Sequence, residues 1–374
     1  MTHTVIIETP QLERKLQNIL QLFALSFRVQ WPFYVLAAAY ALTTYFLLMD
    51  VPTYKQAPVK GLVMGIITFT LPAGLVAVFL FRLLQYVLVI KPDSPVKQMG
   101  RDIASLFTKP AALITGLPLL AAMVVFNKGM LELKPMIPLV KPFSFDEAFM
   151  QLDRSLHFGV DPWVWLQPVL GHDLVTFAIS IAYNFWFLAL FGTFMWFGFA
   201  RQASALRSQF FISYMLCWWI GGGLLAVYFS SAGPVYYSNI GLSPDPFVPL
   251  MDYLRDVDTR WPIWSLFTQQ ALWDGYTGKG PAIGIAAFPS MHNASAVLFA
   301  LAACRLSKLA GWIFSIYAAI ILVGSVHLGW HYAVDGYGAI VLALVCWWIA
   351  GKIARWHDQR ASTRRLNEGL AALR

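Results

Sequence analysis

Eight apolar stretches separated by polar breaks set the rhythm of the chain: residues 31–49, 61–90, 110–127, 174–200, 209–230, 290–304, 309–328 and 332–351. A helix crosses the hydrocarbon core of a bilayer with about 20 apolar residues, so this pattern predicts an all-α polytopic membrane protein with about eight transmembrane helices. Ahead of the first stretch, Leu12, Leu16, Ile19, Leu20 and Phe23 alternate with charge at helical spacing over residues 11–30, which predicts an amphipathic helix in the membrane interface. No basic start with a short apolar core and a small-residue cleavage site precedes it, so no cleavable signal peptide is expected.

Two mixed segments, 128–173 and 231–289, are too long for simple connections. The first carries Pro135, Pro138 and Pro142, then Ser144 in a position to cap a short helix whose Phe145, Phe149 and Leu152 share one face; this predicts a helix lying on the outer leaflet. The second is rich in Pro, Gly, Asp and Trp and reads either as a lid or substrate-binding surface or as a passively folded cap outside the membrane.

Composition agrees with the pattern. The chain is 58% hydrophobic and 12% charged, where a soluble protein is about 25% charged. Its net charge of +8 is not a nucleic-acid footprint, because the placement of the charge follows the membrane. With a cytoplasmic N-terminus, 18 of the 27 Lys and Arg residues fall on the cytoplasmic side, as the positive-inside rule requires. Both termini are then cytoplasmic, and the ends that carry Ser290, His292 and His331 face the periplasm or an organelle lumen. With no organelle address in the sequence, a bacterial inner membrane is the expected location. Cys217, Cys304 and Cys346 all lie in predicted spans and read as small packing residues.

The chemistry concentrates at one of those ends. Phe288-Pro289-Ser290-Met291-His292 and His331-Tyr332-Ala333-Val334-Asp335 are offset by 39 positions, about what two crossings need, so a helical hairpin returns both to one face. His331 and Asp335, four apart, share a helix face, where the carboxylate fixes the imidazole tautomer and leaves the other ring nitrogen free to attack. Ser290, just past Pro289, stands where a helix can begin, and with the first free backbone N–H groups it forms an anion site suited to phosphate. Ionisable groups at the edges of spans are costly and point to function. His327, four before His331, invites a zinc reading with His292 and Asp335; a nucleophilic imidazole with a paired Asp explains the same residues without a metal.

On these two motifs, with Gly329 upstream of the second and Ala232-Gly233-Pro234-Val235-Tyr236-Tyr237 as a turn closing a core helix, the chain resembles the type 2 phosphatidic acid phosphatase superfamily, in particular the branch containing inositol-phosphorylceramide synthase. The resemblance covers about residues 110–352 and implies a six-helix catalytic core there. Residues 1–109 are then an N-terminal addition with the amphipathic helix and two extra spans, and residues 353–374 a basic cytoplasmic tail. It implies His331 as the nucleophile that forms a phosphohistidine, Asp335 behind it, His292 protonating the leaving oxygen and Ser290 on the phosphoryl oxygens, with no metal or other cofactor. The phosphoenzyme passes to water, a lipid or a glycan.

The departures shift the expectation. The better-known phosphatases carry a lysine followed seven positions on by Arg-Pro; Arg-Pro occurs nowhere in this chain, and the arginine six residues before the second histidine is replaced by Ser325. A transferring phosphoryl group still needs charge stabilisation, for which His327, Lys279, Arg255 and Arg260 are available. The expected protein is an integral-membrane lipid phosphotransferase that moves a phospho-headgroup from a phospholipid or polyprenyl-phosphate substrate, taken sideways from the bilayer, to a lipid or glycan acceptor. The alternative is a lipid phosphate or polyprenyl (pyro)phosphate phosphatase using the same residues. A transporter or lipid-binding membrane protein is the rival of another class; it predicts ionisable groups at mid-span, whereas here they gather at helix ends.

Overall fold

The computed structural model describes residues 9–52, 71–86, 90–108, 110–281 and 283–373. The helices are α1 (Thr9–Val29), α2 (Trp31–Leu48), α3 (Leu71–Gln85), α4 (Pro95–Thr108), α5 (Ala111–Val140), α6 (Asp146–Leu156), α7 (Pro162–Leu170), α8 (Asp173–Asn184), α9 (Trp186–Gly198), α10 (Ala205–Tyr228), α11 (Val248–Asp258), α12 (Trp264–Tyr276), α13 (Met291–Cys304), α14 (Lys308–His327), α15 (Ala333–Asp358) and α16 (Ala361–Ala372). Among the described residues no strand forms. The chain is an all-α polytopic membrane protein, with six candidate crossings among those residues: α2, α5, the α8–α9 pair, α10, α14 and α15. Of the two remaining apolar stretches, 290–304 folds as the 14-residue α13. The other is described from Leu71 as α3, with residues 61–70 and 87–89 outside the described set. Apolar side chains cover the outer faces of the long helices, among them Trp312, Ile313 and Ile316 of α14 and Val341, Leu344 and Trp348 of α15. Such faces suit a hydrocarbon surround.

Three local readings need correction. The stretch read as a span over 110–127 followed by a proline-rich loop is one 30-residue helix that runs through Pro135 and Pro138. A proline removes one ladder hydrogen bond, and packing against neighbouring helices outweighs that loss in a membrane protein. Ser144 does not cap α6: its backbone N–H bonds Ser230 O at 3.0 Å, and the helix starts after Phe145 with Asp146 and Glu147 in its first turn. Leu152, expected on the apolar face with Phe145 and Phe149, is exposed while Phe149 is buried.

At the opposite end of the helices, α1 places only part of its apolar stripe outward. Leu16 and Leu20 are exposed, but Ile19, Leu22 and Phe23 pack with Leu366 and Leu370 of α16. Residues 353–373 thus comprise the end of α15 and the docked helix α16. The same end holds Arg207, almost fully buried, whose guanidinium donates to the carbonyls of Phe197, Gly198 and Thr115 at 2.8–3.1 Å. Two of those are terminal carbonyls of α9, where the helix dipole favours a cation.

The centre is the α13–α14 hairpin with α10 and α15 packed against it. Its turn at residues 305–307 is closed by Ser307, whose hydroxyl accepts the Ala310 N–H at 3.1 Å and starts α14. The middle of α10, Cys217–Leu225, is wound as a π-helix with three consecutive glycines. A Cβ on Gly221 would stand 3.2 Å from both Pro289 and Met291, so this widened turn lets the first histidine motif pack directly on α10. Segment 231–289 is not a bare loop: it carries α11, α12 and a 3₁₀ turn at Pro234–Tyr236.

Candidate active site

The hairpin brings the two histidine motifs together at one end, where Ser290 N donates to Asp335 O at 3.1 Å. Trp330 N and His331 N both donate to Ser325 O, at 2.9 and 3.1 Å, so the chain leaving α14 folds tightly back to present the His331 ring. Its Nδ1 lies 3.2 Å from Asp335 Oδ2, which also accepts the Tyr332 N–H at 3.0 Å. Burial pushes the His331 imidazole down to about 3; the Ala287 carbonyl opposes this by bonding the protonated ring, and the charge of Lys134 adds to it. At neutral pH His331 is therefore an uncharged base with one nitrogen committed to a carboxylate.

His331 and His292 both line a cavity of about 180 Å³. Its walls come from α5 (Met130, Lys134), the α8–α9 junction (Tyr183, Asn184, Phe187), the π-helical part of α10 (Trp218, Gly222), α12 (Thr268, Leu272) and residues 283–289. His292 sits in an aromatic box, 4.9 Å from the Tyr183 ring and 4.2 Å from Trp186. Phe187 and Ile283, about half exposed, form part of the wall.

The structure separates the remaining candidates. Asp335 pairs with His331. Ser290 is fully buried and is not a cavity-lining residue; its Oγ accepts from the Asn293 backbone N–H at 3.4 Å and from Asn293 Nδ2 at 2.9 Å, capping α13. Asn293 Nδ2 also reaches Ser325 Oγ at 3.3 Å, so a neutral polar chain occupies the place where the resemblance puts an arginine. His327 points away from the cavity, with Nε2 at 2.9 Å from Thr176 Oγ1. Lys279 is exposed in the turn after α12, outside the cavity. Arg255 and Arg260 are surface residues paired with Asp252 and with Asp173 and Asp256.

Three groups at this site were not singled out from the sequence. Lys134 lies beside Pro135 and Pro138, ordinarily loop signals, which conceal the continuation of α5 in the sequence. Asp146 and Asp153, seven apart and so two turns along one helix face, grip the active-site backbone. Asp146 accepts the N–H groups of Ala232 and Gly233 at 2.8–3.0 Å and the Tyr332 hydroxyl at 3.0 Å. Asp153 accepts the N–H groups of Ala333 and Val334 at 2.7 and 2.9 Å, capping the helix that carries Asp335. Gly233 has φ 102°, and a Cβ there would stand 2.7 Å from the Trp330 carbonyl, so the 232–237 turn docks directly on the residue before His331.

Burial, reinforced by Asp335, pushes the Asp153 carboxyl up to about 7 against the two amides and His157, which favour its charge. Unfolded, this group titrates near 4. Between about pH 4 and 7 the folded state therefore holds the extra proton, and the contribution of Asp153 to stability is lost as pH rises. His331, depressed in the fold, has the opposite slope between about pH 3 and 6.5, so wild type partly conceals both. Asp153→Asn is expected to uncover the rising limb: its stability relative to wild type should climb by up to about 1.4 kcal/mol per pH unit from pH 4 to 7. Thermal unfolding of both proteins in detergent across that range measures it, and parallel curves would refute it.

Residues 147–349, more than half of the chain, match the family model of the PAP2 superfamily, and the chain belongs to that superfamily. No curated protein and no solved structure matches it. Membership supports a phosphatase-type enzyme of the membrane, acting on a lipid drawn from the bilayer.

Proposed function

We propose that the protein is an integral-membrane lipid phosphotransferase that moves a phospho-headgroup to a lipid or glycan acceptor through a phosphohistidine on His331. The observation that carries this reading is the His331–Asp335 pair, 3.2 Å apart, at a cavity shared with His292. Asp335 engages Nδ1, and the lone pair on Nε2 attacks phosphorus. The N–P bond forms as the P–O bond to the leaving lipid alcohol breaks, and that oxygen takes a proton from His292. The acceptor hydroxyl then gives its proton to His292 and its oxygen attacks phosphorus, and the P–N bond breaks with its electron pair returning to Nε2. His331 thus carries the phospho-headgroup from donor to acceptor, and His292, protonated at the start, gives up one proton and regains one per cycle. Lys and Arg bias along the chain supports an outer-face site with cytoplasmic termini.

Rapid quenching of purified protein with a phospholipid carrying radiolabelled phosphate tests this. The expected result is an acid-labile labelled protein, followed by a labelled phosphodiester on the acceptor. Label released instead as a free phosphate product, with acceptor present, would assign hydrolysis. Absence of both labelled protein and turnover, with uptake into reconstituted vesicles, would assign a transporter.

A further inference from the structure

At the end opposite the active site, one side of α15 changes character. Val341, Val345 and Trp348 are exposed and apolar; the next residues along that side are Lys352 and Trp356, with Arg360 just past the helix end. Lys352 Nζ lies 3.6 Å from the Trp348 ring centre, and the Arg360 guanidinium 4.8 Å from that of Trp356. Trp356 in turn meets Trp31, the first residue of α2, edge to face at 6.2 Å. Cations stacked on tryptophans beside an apolar face are what a membrane–water interface selects.

The charge at this end is not balanced by the protein. Arg28, Lys352, Arg355, Arg360, Arg364 and Arg365 are all exposed, and among the described residues none of them forms an ion pair with a carboxylate. The helix that carries the last two arginines is firmly seated. Leu366 and Leu370 of α16 are buried against Ile19, Leu22 and Phe23 of α1, and a Cβ on Gly369 would overlap Leu22. Asn367 donates to the Ala203 carbonyl at 2.8 Å and accepts the Ala203 N–H at 3.0 Å. On its other side α1 keeps Leu16, Leu20 and Phe27 exposed. The two helices therefore offer an apolar face and a set of unpaired cations as one unit. Both helices and all six cations lie outside residues 147–349, so this surface is separate from the part of the chain that matches the superfamily.

We propose that α1, α16 and the end of α15 form a docking surface for anionic phospholipid headgroups, in the leaflet at the end that holds both chain termini. Phe27 and the tryptophans sit at the acyl boundary, and the lysine and arginines take the headgroup phosphates, the arginines through paired N–H donors. Charge complementarity and continuity with the lipid-facing side of α15 both favour this occupant. A free phosphate ion would meet the cations and leave the apolar face exposed, whereas a lipid satisfies both. The proposal is independent of the phosphotransferase reading.

Hydrogen exchange of the α16 amides, followed by mass spectrometry on the full chain in lipid nanodiscs, tests it. Discs of dioleoyl phosphatidylcholine are compared with discs in which about one-third is dioleoyl phosphatidylglycerol. At about 0.1 M salt the anionic lipid is expected to slow exchange in α16 by about 10-fold, shrinking to within about 3-fold at about 0.5 M salt. Arg360→Gln, Arg364→Gln and Arg365→Gln together should abolish the slowing, and the three corresponding Arg→Lys changes should restore most of it. Inorganic phosphate added to the phosphatidylcholine discs should have no effect. Equal exchange in the two kinds of disc, or full slowing in the triple Gln variant, overturns the proposal. So does slowing by inorganic phosphate alone, which would assign a free-anion site, and so does equal slowing in α13, which would assign the effect to lipid bound at the active site. If the triple Gln variant does not fold, the salt dependence of wild type and the comparison with α13 decide.

Discussion

His331→Ala is expected to lose turnover by about 10³-fold or more while melting close to wild type, because the change removes the attacking nitrogen and little of the fold. The His331 ring is buried, but the backbone that presents it is held independently by two hydrogen bonds to Ser325 O. Asp335 keeps the Tyr332 N–H at 3.0 Å when the imidazole is gone. Asp335→Asn should act differently. An amide nitrogen in place of Oδ2 reverses the polarity of the 3.2 Å contact with Nδ1 and destabilises the imidazolium-like phosphohistidine, costing roughly 10²–10⁴-fold. Quench-flow separates the two: His331→Ala should give no labelled protein, and Asp335→Asn labelled protein that forms slowly. If His331→Ala still forms a labelled protein at the wild-type rate, another side chain is the nucleophile and the assignment fails.

The parts of this site that the sequence disclosed are those set by local geometry or by membrane thickness. The 39-position offset between His292 and His331 implied a hairpin, and Ser290 N to Asp335 O at 3.1 Å is its outcome. The four-residue spacing of His331 and Asp335 gave their pairing directly. Ser290 shows the limit: its position before a helix suited both a cap and an anion ligand, and the choice depends on Asn293 and on Ser325, 35 positions further along the chain. Lys134 was hidden because Pro135 and Pro138 are ordinarily loop signals, and only packing against neighbouring helices keeps α5 intact past them. Lys279, Arg255 and Arg260 stand out in the sequence by charge alone, and charge does not tell a surface residue from one on a cavity wall. The grip of Asp153 on Ala333 spans 180 positions, beyond any periodicity in the sequence.

That grip leads to the second large effect, on Asp146. Its carboxylate is almost fully buried and accepts two backbone N–H groups and one hydroxyl, at 2.8–3.0 Å. Burial holds its carboxyl above the usual carboxylate range, although every one of those bonds favours the charge, which marks it as a group whose worth depends on keeping its partners. Asp146→Ala strands the Ala232 and Gly233 amides and the Tyr332 hydroxyl. At roughly 1–3 kcal/mol for each unsatisfied group, less what the cavity recovers through water, the expected cost is about 3–5 kcal/mol. Asp146→Asn should be milder, because a carbonyl placed at Oδ1 still accepts from Gly233 and Tyr332. Activity should fall with stability: the 232–237 turn fixes Gly329 through Val235 N at 3.0 Å, and Tyr332 adjoins His331, so loosening either displaces the nucleophile from the cavity wall. Unfolding of such a protein in detergent is read as an apparent melting temperature under one heating rate. The expected order is wild type, then Asp146→Asn, then Asp146→Ala, with turnover per folded molecule in the same order. If Asp146→Ala melts with wild type and keeps its rate, α6 is a passive cover, and the histidine loop is held by the hairpin alone.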